Sequence, residues 1–218
     1  MTVTTDRTHA VAPSEIAVLS TPAPADPAPL GLAAFALTTF LISVWNAGWA
    51  DAGSGAWIGY AFAYGGLCQL LAGMWEFRNR NVFGATAFST YGGFWIGLAL
   101  YIELVAPHDA AGVLSNDLGW ILLAFAIFNT YMLMWSSFVN AGVFAVFLTL
   151  EATEILLFAG QFAGSKGLIE AGGYIGVLTA LVAWYVSSAG VINGMTGRVM
   201  VPVGGPLAKP ALRDPGTV

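Results

Sequence analysis

The chain has 218 residues, of which 57% are hydrophobic and only 9% charged, against roughly 25% charged in an ordinary soluble domain. So few charges cannot cover a water-soluble fold of this size, and the apolar residues fall in blocks of roughly 20, the length a helix needs to cross about 30 Å of hydrocarbon. Seven basic and twelve acidic residues leave a net charge of -5 with no basic stripe, which excludes nucleic acid as a partner.

Residues 1–27 are rich in Pro, Thr, Ala and Asp and contain no apolar stretch long enough for a signal-peptide core. They read as a disordered cytoplasmic tail. A first membrane helix begins at Pro27 and Pro29, since proline fits a first helical turn and not its interior, and ends near Asp51 and the turn Gly53-Ser54-Gly55. A second runs from about Ala56 to Trp75 and stops at Glu76-Phe77-Arg78-Asn79-Arg80-Asn81, a cluster that hydrocarbon would not accept. The third runs from about Phe83 to Val105, the fourth from Leu118 to Trp135, the fifth from Ala141 to Phe162 and the sixth from Gly172 to Ile192. The sequence thus predicts an all-α integral membrane protein with a six-helix domain over residues 28–195 and a cytoplasmic C-terminal tail over 196–218.

Cytoplasmic loops collect Lys and Arg. Arg7, Arg78, Arg80, Arg198, Lys209 and Arg213 fall in the two tails and the second-to-third loop, leaving Lys166 on the other side, so both termini are expected in the cytoplasm. Trp45, Trp49, Trp57, Trp75, Trp120 and Trp135 lie toward span ends, as an aromatic belt requires. The pairs Gly55/Gly59, Gly93/Gly97, Gly160/Gly164, Gly172/Gly176 and Gly190/Gly194 have the small-xxx-small spacing that lets helix backbones approach, within a protomer or between subunits.

Several chemistries are excluded by residue type. His9 and His108 lie in a tail and a loop, so no span offers histidine for haem, copper or a serine-histidine pair. Cys68 is the one cysteine, ruling out an intrachain disulfide and a cysteine metal cluster. The run Gly160 to Lys166 fails the GxxxxGK[ST] spacing of a phosphate loop. No metal, cofactor or enzymatic base and nucleophile pair is expected.

What remains at membrane depth is a sparse polar set: Asn46, Gln69, Glu76, Thr86, Ser89, Tyr91, Glu103, Asn129, Glu151, Glu154 and Gln161. Each needs an internal partner or a wet cavity. Glu151 and Glu154 weigh most, because an ionised carboxylate at mid-helix costs on the order of 3 kcal/mol on insertion scales. Helical spacing puts Glu154 on the face of Leu150, with Glu151 about 100° from Leu150. The pair reads either as a proton site or as a hydrogen-bonding contact to a neighbouring helix or subunit. Phe35, Thr39, Ile42 and Asn46 share one face of the first helix, which by spacing alone is the buried side of a helix.

Longer motifs carry a resemblance. Asp26-Pro27-Ala28-Pro29-Leu30-Gly31-Leu32, then Tyr64 to Gln69, Ala72 to Phe77, Asn81 to Gly92, and Thr196 to Pro202 are similar, in the same order, to the motif blocks of the acetate uptake transporter family, also written GPR1/FUN34/YaaH. The resemblance implies a six-helix protomer in the cytoplasmic membrane, assembled as a homohexamer with a separate pathway through each protomer. Its substrates would be acetate and related small carboxylates, succinate among the candidates, moved with protons. By motif position the resemblance places a hydrophobic constriction on Phe35, Tyr91 and Leu150 and links Ala183 to substrate range. Thr39, Asn46, Gln69, Thr86, Ser89 and Asn129 are the expected polar lining, with the helix start at Asp26 to Gly31 offering unpaired amides to a carboxylate. The chain departs from the family in carrying Asp26 for asparagine, and Glu151 and Glu154 where the bacterial relatives have uncharged residues. Proton symport and passive anion conduction would use the same residues, and a membrane sensor or scaffold is the reading from another class.

Overall fold

The computed structural model describes residues 24–51, 53–110 and 112–209. The expectations for residues 1–23 and 210–218, with Arg7, His9 and Arg213, lie outside the described residues. Every regular element among those described is helical. In chain order these are α1 (Ala28–Asn46), α2 (Ala56–Tyr60), a π-helix (Ala61–Cys68), α3 (Gln69–Arg78) and α4 (Val82–Leu100). After α4 come a π-turn (Tyr101–Val105) and a 3₁₀ turn (Ala106–His108), then α5 (Val113–Ser136), α6 (Ala141–Ala163) and α7 (Lys166–Thr196). Five stretches among the described residues are long and apolar enough to cross a membrane: Ala28–Asn46, Val82–His108, Val113–Ser136, Ala141–Ala163 and Lys166–Thr196. The expected second span is divided by its π-helix into three pieces and is not among the five.

The helix ends follow local chemistry. Pro27 precedes α1, and its carbonyl accepts from the amides of Leu30 and Gly31, while Asp26 Oδ1 accepts from Ala28 N at 2.9 Å. Asn81 and Asn140 cap α4 and α6 by accepting from Gly84 N (3.1 Å) and Val143 N (2.8 Å), which satisfies amides no intrahelical carbonyl can reach. Gly164 ends α6 in the left-handed region at φ 58°, where glycine avoids the Cβ penalty. Ser165 then caps α7 directly.

Ala56–Arg78 is one continuous helical run, and short connections join the longer helices on either side of it. α7 packs most extensively on α1 and α6, α6 on α5, and α3 on α4. Ser187 Oγ, late in α7, donates to Pro29 O at the start of α1 (2.7 Å), tying the two helices head to tail. Glycines allow the approach. A Cβ on Gly92 would lie 2.7 Å from Leu70 N, and one on Gly73 would lie 2.6 Å from Ser89 N. Of the expected glycine pairs, Gly172/Gly176 packs inside the protomer, against Leu157 and Ser43, whereas Gly93/Gly97 has nothing within 4 Å and faces outward.

Polarity runs opposite to that of a soluble protein. The largest fully buried side chains include Gln69, Glu76, Asn129, Thr38 and Thr179, while Leu71, Met74, Trp120, Ile127, Leu148 and Leu181 are exposed. A bundle surrounded by hydrocarbon gains nothing by hiding leucine but must pair its polar groups internally.

The described part of the C-terminal segment is hydrogen-bonded to the bundle. Residues 199–208 fold back across the end of the bundle where α1 begins and α7 finishes. Asn193 Oδ1 accepts from Met200 N (2.7 Å) and Val201 N (3.0 Å), Gly142 N donates to Val203 O (2.8 Å), and Leu207 N donates to Ser137 O (2.8 Å).

Candidate functional site

α1 and α6 each turn one stripe of residues, spaced three or four apart, toward the middle of the bundle. Two cavities lie between these stripes. One, of about 290 Å³, opens at the end where α1 starts and is lined by Asp26, Pro29, Leu32, Gln69, Glu76, Asn81, Phe147 and Asn193, among others. The second, of about 330 Å³, opens at the other end and is lined by Thr39, Ser43, Asn46, Trp57, Trp95, Thr153, Glu154 and Gln161, among others. The two linings share three residues: Phe35, Tyr91 and Leu150.

These three form the partition. Phe35 is 5%, Tyr91 3% and Leu150 7% exposed. The Phe35 and Tyr91 rings meet edge to face with centroids 5.9 Å apart. Phe125 and Phe128, at 6.0 and 5.5 Å, pack on the Tyr91 ring from α5. The Tyr91 hydroxyl lies 3.0 Å from Asn129 Oδ1 and 3.4 Å from Glu154 Oε1. Asn129 in turn donates through Nδ2 to Phe147 O (3.0 Å) and to Glu151 Oε2 (2.6 Å). Thr130 Oγ1 lies 2.8 Å from Glu151 Oε1. A ring of hydrocarbon is thus held in position by a polar network on α4, α5 and α6, buried at Tyr91, Asn129 and Glu154 and reaching the outside of the protomer at Glu151 and Thr130.

Each cavity carries buried polar atoms with no hydrogen-bond partner among the described residues. In the first these are Gln69 Oε1 and both Glu76 oxygens, all acceptors; in the second, Thr39 Oγ1, the Trp95 indole Nε1 and Glu154 Oε2. Leaving a buried polar group unpaired costs about 1–3 kcal/mol, so such atoms mark places where a small polar molecule recovers the loss. Among the described residues, no lysine, arginine or histidine lines either cavity.

The structure brings together most, though not all, of the residues singled out in the sequence. Phe35, Tyr91 and Leu150 meet, Thr39, Asn46 and Glu154 line the second cavity, and Gln69, Asp26, Ala28 and Pro29 line the first. Asn129 and Glu151 stand behind the wall and hold it by hydrogen bonds. Ala183 is fully buried in the apolar cluster that contains the three partition residues. Thr86 and Ser89 line neither cavity, and nor do Pro27, Leu30 and Gly31 of the N-terminal motif. Gly31 serves packing, since a Cβ there would lie 2.7 Å from the Phe88 ring.

Two residues outside the expected lining emerge from the structure. Glu76 is completely buried, its carboxylate turned into the first cavity over the start of α4, where a Cβ on Gly84 would come within 2.6 Å of Oε1. The sequence places it among the polar residues at membrane depth, at the end of the second span beside a charged cluster. Trp95 was legible in principle: it stands at mid-helix, away from the span ends where tryptophans gather, so its N–H needs an internal use.

A family model described as the GPR1/FUN34/yaaH family matches residues 9–205. The chain is 41% identical over 195 residues to Acetate permease A of Emericella nidulans, covering 82% of this chain and 65% of that protein, just under two thirds of its length. It is 34% identical over 183 residues to the Succinate-acetate/proton symporter SatP of Escherichia coli, covering 83% of this chain and 95% of that one. The solved structure of the bacterial acetate channel SatP superposes with a TM-score of 0.78 at 33% identity, covering 83% of this chain and 99% of that chain.

Proposed function

The chain belongs to the GPR1/FUN34/yaaH family, and from that premise we propose that this multi-pass membrane protein carries acetate and related small carboxylates across a cytoplasmic membrane by proton-coupled symport. The observation that carries this reading is the meeting of two oppositely opening cavities at Phe35, Tyr91 and Leu150. Two dead-end pockets of a packing bundle would not need to abut at one thin hydrocarbon ring.

The chemistry of the walls suits the cargo. A small carboxylic acid behaves like a Glu side chain, with a pKa of about 4.3, so near neutrality it is nearly all anion and must be desolvated to cross. The Trp95 indole and the hydroxyls and amides of Thr39, Ser43 and Asn46 replace its water in the second cavity; Gln69, Asn81 and Asn193 do so in the first. Glu154 and Glu151 are the proton site. The relatives' names divide between symporter and channel, and the paired membrane carboxylates favour the symporter here.

The same reading includes six membrane spans, with the run from Ala56 to Arg78 counted as the second. Both termini then lie in the cytoplasm, on the side of Arg78, Arg80, Arg198 and Lys209 and opposite Lys166. It also includes a homohexamer with a pathway in each protomer, for which the outward Gly93/Gly97 pair offers a close-packing face.

Uptake of labelled acetate into proteoliposomes, with and without an imposed inward proton gradient, tests this. Uphill accumulation that appears only with the gradient is expected. Flux that follows the acetate gradient alone would make the protein a channel, and no flux above empty liposomes would return it to a sensor or scaffold.

A further inference from the structure

Resting on the transport reading, we infer that the first cavity selects its cargo by charge, and that Asp26 at its opening makes this chain a carrier of monocarboxylates that disfavours dicarboxylates. The start of α1 is the first observation. A helix N-terminus attracts carboxylates when its amides lack partners. The expected unpaired amides at Asp26 to Gly31 are absent, because every N–H of this first turn is committed. Pro27 and Pro29 carry none, Leu30 N and Gly31 N each donate to Pro27 O at 3.1 Å, and Ala28 N donates to Asp26 Oδ1 at 2.9 Å.

The chain's own carboxylate thus takes the place that a substrate carboxylate would seek at this helix end. It does so where the family carries asparagine, whose side-chain oxygen can accept the same hydrogen bond without the charge. Asp26 is exposed at the opening, and no cation pairs with it: the one ion pair among the described residues, Lys166 with Glu170, lies at the other end of the bundle.

The wall behind Asp26 points the same way. Gln69 is 1% and Glu76 0% exposed, both line this cavity, and Gln69 Oε1 and both Glu76 oxygens have no partner among the described residues. Buried acceptors call for a donor. A carboxyl group offers one only while it holds its proton, and as an anion it would set lone pairs against lone pairs. No lysine, arginine or histidine among the described residues lines the cavity to offset this.

Repulsion from Asp26 grows with the charge on the substrate. Acetate brings one negative charge and loses it by binding one proton. Succinate brings two near neutral pH, since each of its carboxyls ionises much as a Glu side chain does. With one proton bound it still carries a charge past Asp26. At about 290 Å³ the cavity has room for either acid, so charge and not size separates them here.

Uptake of labelled acetate and of labelled succinate by proteoliposomes holding the full-length protein near neutral pH tests this, read as the ratio of the two rates. Any substrate crosses both cavities, so the ratio does not depend on which way the protein is inserted. In the wild type succinate is expected to move about tenfold more slowly than acetate, the size of effect that one added charge has at a few ångströms. Asp26→Asn is expected to elute as the wild type does and to raise the succinate rate several-fold relative to acetate. Glu103→Gln removes an exposed carboxylate that lines neither cavity and is expected to leave the ratio unchanged. Added salt is expected to narrow the gap in the wild type and not in Asp26→Asn, because screening acts on an exposed charge and not on a capping hydrogen bond. Should Asp26→Asn fail to fold, the salt series on the wild type decides alone. Equal rates in the wild type, or a ratio that neither Asp26→Asn nor salt moves, would overturn the inference while acetate uptake upholds the transport reading. A wild type that moves neither acid fails the transport reading and the inference with it.

Discussion

Leu150→Trp is expected to reduce acetate uptake by proteoliposomes to the level of empty liposomes. Leu150 is one of the three residues that line both cavities and is 7% exposed. On one side it has the Phe35 and Tyr91 rings, themselves in contact, and Tyr91 is braced by Phe125 and Phe128. An indole placed there has no room to turn aside except into the path. Overpacking of this kind costs about 1–3 kcal/mol, which lowers stability but leaves most of the helix packing untouched. Size-exclusion chromatography of the variant is expected to match the wild type. A folded Leu150→Trp protein with undiminished flux would place the route elsewhere.

The second large effect is on the fold itself. Gly173 in α7 lies against the α1 backbone: a Cβ there would meet the Ala47 amide nitrogen and come within 2.7 Å of the Asn46 carbonyl carbon and 2.8 Å of Ala47 Cα. Those atoms belong to a helix end, not to a side chain that can swing away, so α1 and α7 must part. The seam is the most extensive in the protomer, and α1 also lines both cavities. Gly173→Ala is expected to lower the thermal midpoint of the purified protein by several degrees, in line with an overpacking cost of about 1–3 kcal/mol or more. Gly194→Ala, with nothing within 4 Å of the added carbon, should leave it unchanged and serves as the control.

Much of this architecture was legible in the residues. The apolar blocks gave the helices because hydrocarbon thickness sets their length, and the prolines before the first helix and the charged cluster after the second marked ends there, whereas the caps Asn81, Asn140 and Gly164 became visible only in the structure. The face Phe35, Thr39, Ile42 and Asn46 was visible in helical spacing, but spacing alone could not distinguish a core from a cavity wall. Leu150 and Glu154 likewise share a stripe whose role depends on what lies opposite.

Other features depended on contacts that spacing does not encode. The π-helix Ala61–Cys68 leaves no mark in an apolar run. Glu76 reads as a polar residue at membrane depth beside a charged cluster, and only the packing of α3 on α4, with glycine at Gly84, shows its carboxylate turned into a cavity. Thr86 and Ser89 carry the right chemistry yet line neither cavity, Ser89 being pressed against Gly73. The segment 199–208 is glycine- and proline-rich, as a tail would be, but Asn193 and Ser137 supply the partners that hold it.

The passage of substrate between the two cavities is tested most directly by a single thiol at the partition. Cys68 is the chain's one cysteine, so Leu150→Cys in a Cys68→Ser background has its only thiol at the ring. Acetate flux through this protein would be measured before and after treatment with a small water-soluble thiol reagent. Modification is expected to stop the flux, and saturating acetate is expected to slow the modification. Complete modification with flux unchanged would contradict a route past Phe35, Tyr91 and Leu150.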